Sequence, residues 1–164
     1  MKNVWILVCD AARGRLFETR GDDPAWNLLE IFGHADSRRK ASDLVSDHSG
    51  QRSSLGASAH HNALAPSSDP KEVQKGHFGH ALAAMLDRGM RSNRFEQLVL
   101  VAPPHFLGML KNELTPEVTK HLLVAVDKDL THIDASDVAD RLRDRIWNAS
   151  EESRNQREAI RHSH

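Results

Sequence analysis

An α/β protein built on one mixed, five-stranded sheet is the fold class this sequence predicts, and three observations carry it. Two unbroken apolar runs, Leu98–Ala102 and Leu122–Val126, are separated by a helix-length segment, as expected of parallel strands covered on both faces. Ahead of them, three strand-like segments within the first 32 residues are joined by breaker-rich turns, the pattern of an antiparallel meander. Between these halves, Asp69-Pro70-Lys71-Glu72 places an N-cap, a proline at the first helical position and a carboxylate three residues after the cap. A helix therefore begins there.

Taken in order, Val4 to Cys9 is a strongly apolar first strand, and the small turn Ala11–Gly14 returns the chain into Arg15–Thr19 as a hairpin. Gly21-Asp-Asp-Pro24 makes a second turn, and Trp26 to Phe32 a third strand. From Gly33 to Ser68 the chain is rich in Ser, His, Asp, Ala and Gly, without sustained periodicity; a polar loop of this length is usually functional or mobile. The first helix carries Phe78, Ala81, Leu82, Met85 and Leu86 as its apolar stripe, and Gly89 or Ser92-Asn93 marks its end. Strand four is Leu98–Ala102. Pro104 opens a second helix with Phe106, Leu107, Leu110 and Leu114 on its core side and Thr115-Pro116 as its stop. Strand five is Leu122–Val126. Asp134 or Ser136 caps a third helix on which Val138, Leu142 and Ile146 recur every four residues with Trp147 beside them. Residues 1–148 form one domain, and residues 149–164 a polar tail with the composition of a frayed helical extension. The resulting order, β-β-β-α-β-α-β-α with helices packed on the sheet, is that of an RNase H-like fold. Right-handed crossovers make strands one, four and five parallel and bring Asp10, Pro103–His105 and Asp127–Asp129 to one edge, which is the candidate site.

Composition narrows the function classes. A hydrophobic fraction of 39% and a charged fraction of 27% describe a globular chain, and 164 residues suffice for a core without staples. Net charge is -1, so any surface that attracts nucleic acid must be local. The opening run Met1–Asp10 is too short for a signal peptide or a spanning helix, which leads us to expect a cytoplasmic protein without membrane contact. A single cysteine, Cys9, excludes an internal disulfide and suits a reducing compartment; within a strand it reads as a small buried residue. No export signal, repeat or disulfide scaffold of an adhesin is present.

Candidate residues follow from the strand ends. Asp10 stands where a two-metal nuclease would need a carboxylate, but such a site needs several, and the first helix offers only Glu72 and Asp87 near its ends. Asp10 more naturally accepts hydrogen bonds from backbone groups or pairs with Arg13 or Lys128. His77-x-x-His80 puts two imidazoles on one helical face, with His60-His61 in the polar loop, yet no Cys or carboxylate stands at a recognised ligand spacing beside them. Neither a catalytic set, a metal nor a cofactor is implied. His105 follows Pro103-Pro104 at a strand end; it could bind an anion when protonated or help cap a helix. Arg13 and Arg15, and separately Arg38-Arg39-Lys40, are local basic groups able to contact phosphate. Lys128, Asp129 and Thr131 read as a structural turn or as ligand contacts. Oligomeric state is left open, although an exposed apolar patch on the meander could pair subunits.

Three blocks, Cys9–Phe17, Leu98–Leu110 with its Ala102-Pro-Pro-His-Phe-Leu-Gly108, and Lys128-Asp-Leu-Thr131, resemble the bacterial host attachment protein family, and the resemblance spans nearly the whole chain. The family name implies a part in attachment to host cells, which is a phenotype rather than a reaction. That family in turn looks like the middle domain of archaeal and eukaryotic peptide-chain release factors, which has the same element order and a Gly-Gly-Gln loop ahead of its first helix. Here the corresponding loop reads Ser49-Gly50-Gln51-Arg52, half of that motif, and makes Gln51 a candidate. The resemblance implies a non-enzymatic module that associates with RNA or the ribosome. The alternative is a protein-interaction or regulatory role that affects attachment indirectly; esterase or nuclease activity ranks last.

Overall fold

Alternation along the first strand decides the layering, because successive side chains leave opposite faces of a sheet. Trp5, Leu7 and Cys9 enter one apolar cluster, whereas Val4, Ile6 and Val8 enter another. Both clusters are dry, so this strand is sandwiched between two layers. The computed structural model describes residues 2–20, 25–33 and 69–163. In it β1 (Asn3–Cys9), β2 (Gly14–Arg20) and β3 (Asn27–Phe32) form the antiparallel meander, and β4 (Gln97–Val101) and β5 (Leu122–Val126) run parallel to β1. The sheet order is β3-β2-β1-β4-β5. The three parallel strands thus end side by side at Cys9, Val101 and Val126, and the segments that follow them share one edge.

Among the described residues, four helices cover the sheet. α1 (Pro70–Arg91) starts where the cap signal puts it, with Asp69 Oδ1 accepting from the Lys71 amide at 3.0 Å. Of the two expected stops, the helix uses Ser92-Asn93, where Asn93 takes a left-handed φ of 56°. Gly89 lies inside the helix instead, and a Cβ there would stand about 2.5 Å from the Trp5 ring. α2 (Pro104–Glu113) and α3 (Pro116–Thr119) follow β4. Thr115-Pro116, expected only to stop a helix, also starts one: the Thr115 hydroxyl accepts from the Val118 amide at 3.3 Å, and Val118 is fully buried. With α1, these two helices line the Trp5 face of the sheet.

The opposite face belongs to α4 (Ala135–His162), through Val138, Leu142 and the partly buried Ile146. Its N-cap is Asp134. The helix does not stop near residue 148. Residues 149–162, read from sequence as a polar tail, continue it, and their side chains are mostly exposed. Trp147, expected beside the apolar row, is 53% exposed. β3 begins at Asn27 rather than Trp26, whose ring instead packs 5.7 Å from that of Phe17. As the edge strand it leaves Leu28, Leu29 and Ile31 exposed. The turn at Gly21–Pro24 and most of the long polar loop, including Arg38-Arg39-Lys40, Gln51 and His60-His61, lie outside the described residues. Among the described residues, no helix is long and apolar enough to cross a membrane.

Candidate functional site

At the end of β1 the chain must turn within four residues to re-enter the sheet as β2, which leaves turn amides without strand partners. Asp10 supplies one acceptor for two of them: its Oδ1 receives the amides of Ala12 and Arg13, both at 2.8 Å. Gly33, at φ 77°, lies so close to the Ala12 carbonyl that a side chain there would collide with it, so the end of β3 holds the same turn from the other side.

The second oxygen of Asp10 reaches across the edge. Thr131 Oγ1 lies 3.0 Å from Asp10 Oδ2 and 2.7 Å from Asp129 Oδ1, and the Thr131 amide donates to Asp129 Oδ1 at 3.2 Å. One hydroxyl proton thus serves two carboxylates. Positive charge completes the balance: Arg13 Nε lies 3.5 Å from Asp10 Oδ2 as an ion pair without hydrogen-bond geometry, and its Nη1 lies 3.4 Å from His132 Nδ1. Burial alone would raise the Asp129 carboxyl. The Thr131 hydrogen bonds, with the nearby His132 and Arg13, outweigh burial and hold it below its ordinary value.

Arg15 acts on the same loop from beneath. Its Nη2 donates to the carbonyls of Ile133 at 2.7 Å, Leu130 at 3.0 Å and, more weakly, Thr131 at 3.4 Å, while the guanidinium lies 5.5 Å from the Phe17 ring centre. Burial lowers the Arg15 pKa, and the charge of Asp134 opposes that shift. Three carbonyls converging on one cation is an arrangement that shapes a loop: the β5–α4 connection curls around this side chain.

The other candidates lie apart from this network. His105 Nε2 meets Glu72 Oε2 at 3.2 Å and so links the starts of α2 and α1, while His80 Nδ1 meets Glu113 Oε2 at 3.0 Å further along the same two helices. Glu72 is held below its ordinary pKa by His105 first and then Lys75. Asp87 is engaged by Arg91 at 2.8 Å and the Thr115 hydroxyl at 3.3 Å. Cys9 is buried, and burial followed by the adjacent Asp10 charge pushes its thiol far up, the reverse of what a nucleophile needs. His77 is exposed on α1.

Among the described residues, one trio has the geometry to hold a metal ion: Asp10, Asp129 and His132, whose ligand atoms lie within 4.8 Å of one another. Sequence reading missed His132, which is three residues beyond Asp129 but meets Asp10 only through the fold. The Arg13 guanidinium already supplies a cation to this trio. Lys128 points elsewhere, to a shallow, solvent-open pocket of about 230 Å³ whose lining also includes Arg141 and Arg145.

Fold and edge together define a mixed α/β protein whose polar residues at the parallel-strand ends are joined largely to one another. The chain belongs to the family described as "protein required for attachment to host cells", whose model matches residues 5–142. That span contains all three blocks on which the resemblance rests, and it ends within α4 at Leu142. Comparison with curated proteins returned no match.

Proposed function

We propose that this host attachment family member is a non-enzymatic, cytoplasmic module that associates with RNA or the ribosome, related in fold and role to release-factor middle domains. The observation that carries the non-enzymatic part is the closed network at the strand ends. Asp10 and Asp129 share the Thr131 hydroxyl, and Asp10 also holds two turn amides, so both carboxylates serve the loops. A hydrolase needs acceptors free to take a proton or a metal. A sheet of order β3-β2-β1-β4-β5, with an antiparallel meander followed by parallel strands, supports the RNase H-like reading and with it the release-factor relationship. Ribosome co-sedimentation over a salt series tests the role: the chain should travel with ribosomal fractions at low salt and leave them as salt rises. Absence from those fractions at low salt, with no gel shift of RNA, would overturn it.

A second reading, a protein-interaction or regulatory module that influences attachment indirectly, is favoured by the edge strand β3. Leu28 is 49% and Ile31 57% exposed, and such a strand presents backbone groups as well as apolar side chains to a partner. Co-purification of a defined protein that is lost on Ile31→Lys, in a chain that ignores ribosomes, would favour it.

A further inference from the structure

The polar network at the edge leaves Lys128 out, and the surroundings of this residue differ in kind. Lys128 stands between Asp127 and Asp129 on the loop after β5, and its pocket has a floor of Val126, Leu130 and Leu142, all buried, and a rim of Lys128, Arg141 and Arg145. Arg141 and Arg145 are four residues apart on α4, hence on one helical face. Two other arginines of this helix have local partners, Arg143 with Asp140 and Arg154 with Glu151, both at 3.1 Å, whereas Arg157 and Arg161 lie on its exposed distal part, away from the pocket. Among the described residues, the side chains of Lys128, Arg141 and Arg145 form no hydrogen bond or ion pair. At 100° per residue, Asp137 and Asp144 fall on the side of Arg141 away from Leu142 and the pocket.

We propose that Lys128, Arg141 and Arg145 form a phosphate-binding site, and that its ligand is a ribose-phosphate unit of an RNA backbone. This deepens the proposed function and rests on it for the choice of RNA over a free phosphorylated metabolite. Three cations gathered on one rim repel one another, and an anion seated among them turns that repulsion into attraction. Guanidinium groups match phosphate oxygens in bidentate geometry, and the lysine adds a point charge. A volume of about 230 Å³ exceeds what a phosphate group needs, and the apolar floor suits the carbon face of the attached sugar. Preorganisation is supplied by the network already described. Asp129 and Thr131 lock the loop on one side of Lys128, and Arg15 holds its carbonyls from below, so Lys128 is positioned by the residues that flank it.

The test uses the full chain and an Arg141→Gln/Arg145→Gln variant, with Arg143→Gln as a control outside the pocket, all verified as folded by circular dichroism. Inorganic pyrophosphate and a short unstructured oligoribonucleotide are titrated separately and followed by amide and arginine side-chain NMR shifts. Both ligands should move residues 126–131 and 141–145, the double variant should bind at least about tenfold more weakly, and its salt slope on the oligoribonucleotide should fall by about 1.4. Arg143→Gln should bind as the parent does. No shift with either ligand, or equal binding by the double variant, overturns the site. Pyrophosphate binding without oligoribonucleotide binding upholds the phosphate chemistry but overturns the RNA assignment. If the chain sediments with ribosomes and the double variant does so equally, the site falls while the proposed function stands.

Discussion

Arg15 shows how one side chain can organise a whole loop at the strand ends through its backbone carbonyls. Replacing it with methionine keeps the packing on Phe17 but leaves the carbonyls of Leu130 and Ile133 without their donor, so stability to urea should drop by about 1–3 kcal/mol. Asp129 gives the same loop a pH dependence. Its folded pKa is lowered, so its contribution is present above the unfolded value of about 3.9 and is lost as pH falls through the folded value. Asp129→Asn should therefore be less stable than the parent at pH 7, and the gap should close as the solution is acidified below about pH 4. Urea titrations of the two chains across pH 2–7 provide the check, and a constant gap would separate the loss from ionisation. Residue types in the Lys128–Thr131 turn were legible in sequence as a structural motif. Their bond to Asp10 was not, because 121 positions separate Thr131 from it.

Elements were legible where their signals are local. The cap at Asp69, the apolar runs of β1, β4 and β5, and the proline that opens α2 each act within a few residues, and each stands where it was read. α3 escaped because Thr115-Pro116 serves equally as the end of one helix and the start of the next. The continuation of α4 was legible only as one of two readings, a polar tail or a frayed helical extension, because the apolar row weakens beyond Ile146 and periodicity cannot tell polar helix from polar tail. Gly89 was a plausible terminator by type, yet its place is set by Trp5 crossing the helix from β1. Gly89→Ala should consequently destabilise by about 1–3 kcal/mol despite alanine's better helix propensity, read as a lowered denaturation midpoint with an unchanged slope. A stabilised variant would mean that the Trp5 ring moves aside freely.

At the scale of the whole molecule, two helical layers enclose the sheet unequally. Among the described residues, α1, α2 and α3 cover one face, while α4 is the helix that serves the other, through its first three turns. The distal part of α4 adds little to either core: from Glu152 to His162 its side chains are exposed apart from the partly buried Ser153. Removal of residues 152–164 should leave one cooperative thermal transition at nearly the parental midpoint, with helical circular dichroism reduced in proportion to the residues lost. A midpoint lower by more than about 3 °C, the equivalent of roughly 1 kcal/mol in a domain of this size, would show that the distal helix packs on the body.

By itself the sequence determined the α/β class, five strands in their correct places, the start of α1 and the family, since apolar runs, caps and family blocks are contiguous stretches of chain. It also singled out Asp10, Arg13, Arg15, Lys128, Asp129 and Thr131, all of which meet at or beside one edge, and left undecided whether they bind or brace. Tertiary structure alone decided how they are spent. Thr131 is shared between two carboxylates, Arg15 is turned into its loop, and Lys128 is set beside Arg141 and Arg145. Those relations join residues far apart in the chain. The pairing of β1 with β2 and, through β4, with β5 brings Asp10 and Arg15 to the loop that carries Thr131, and the packing of α4 beside β5 sets Arg141 and Arg145 near Lys128.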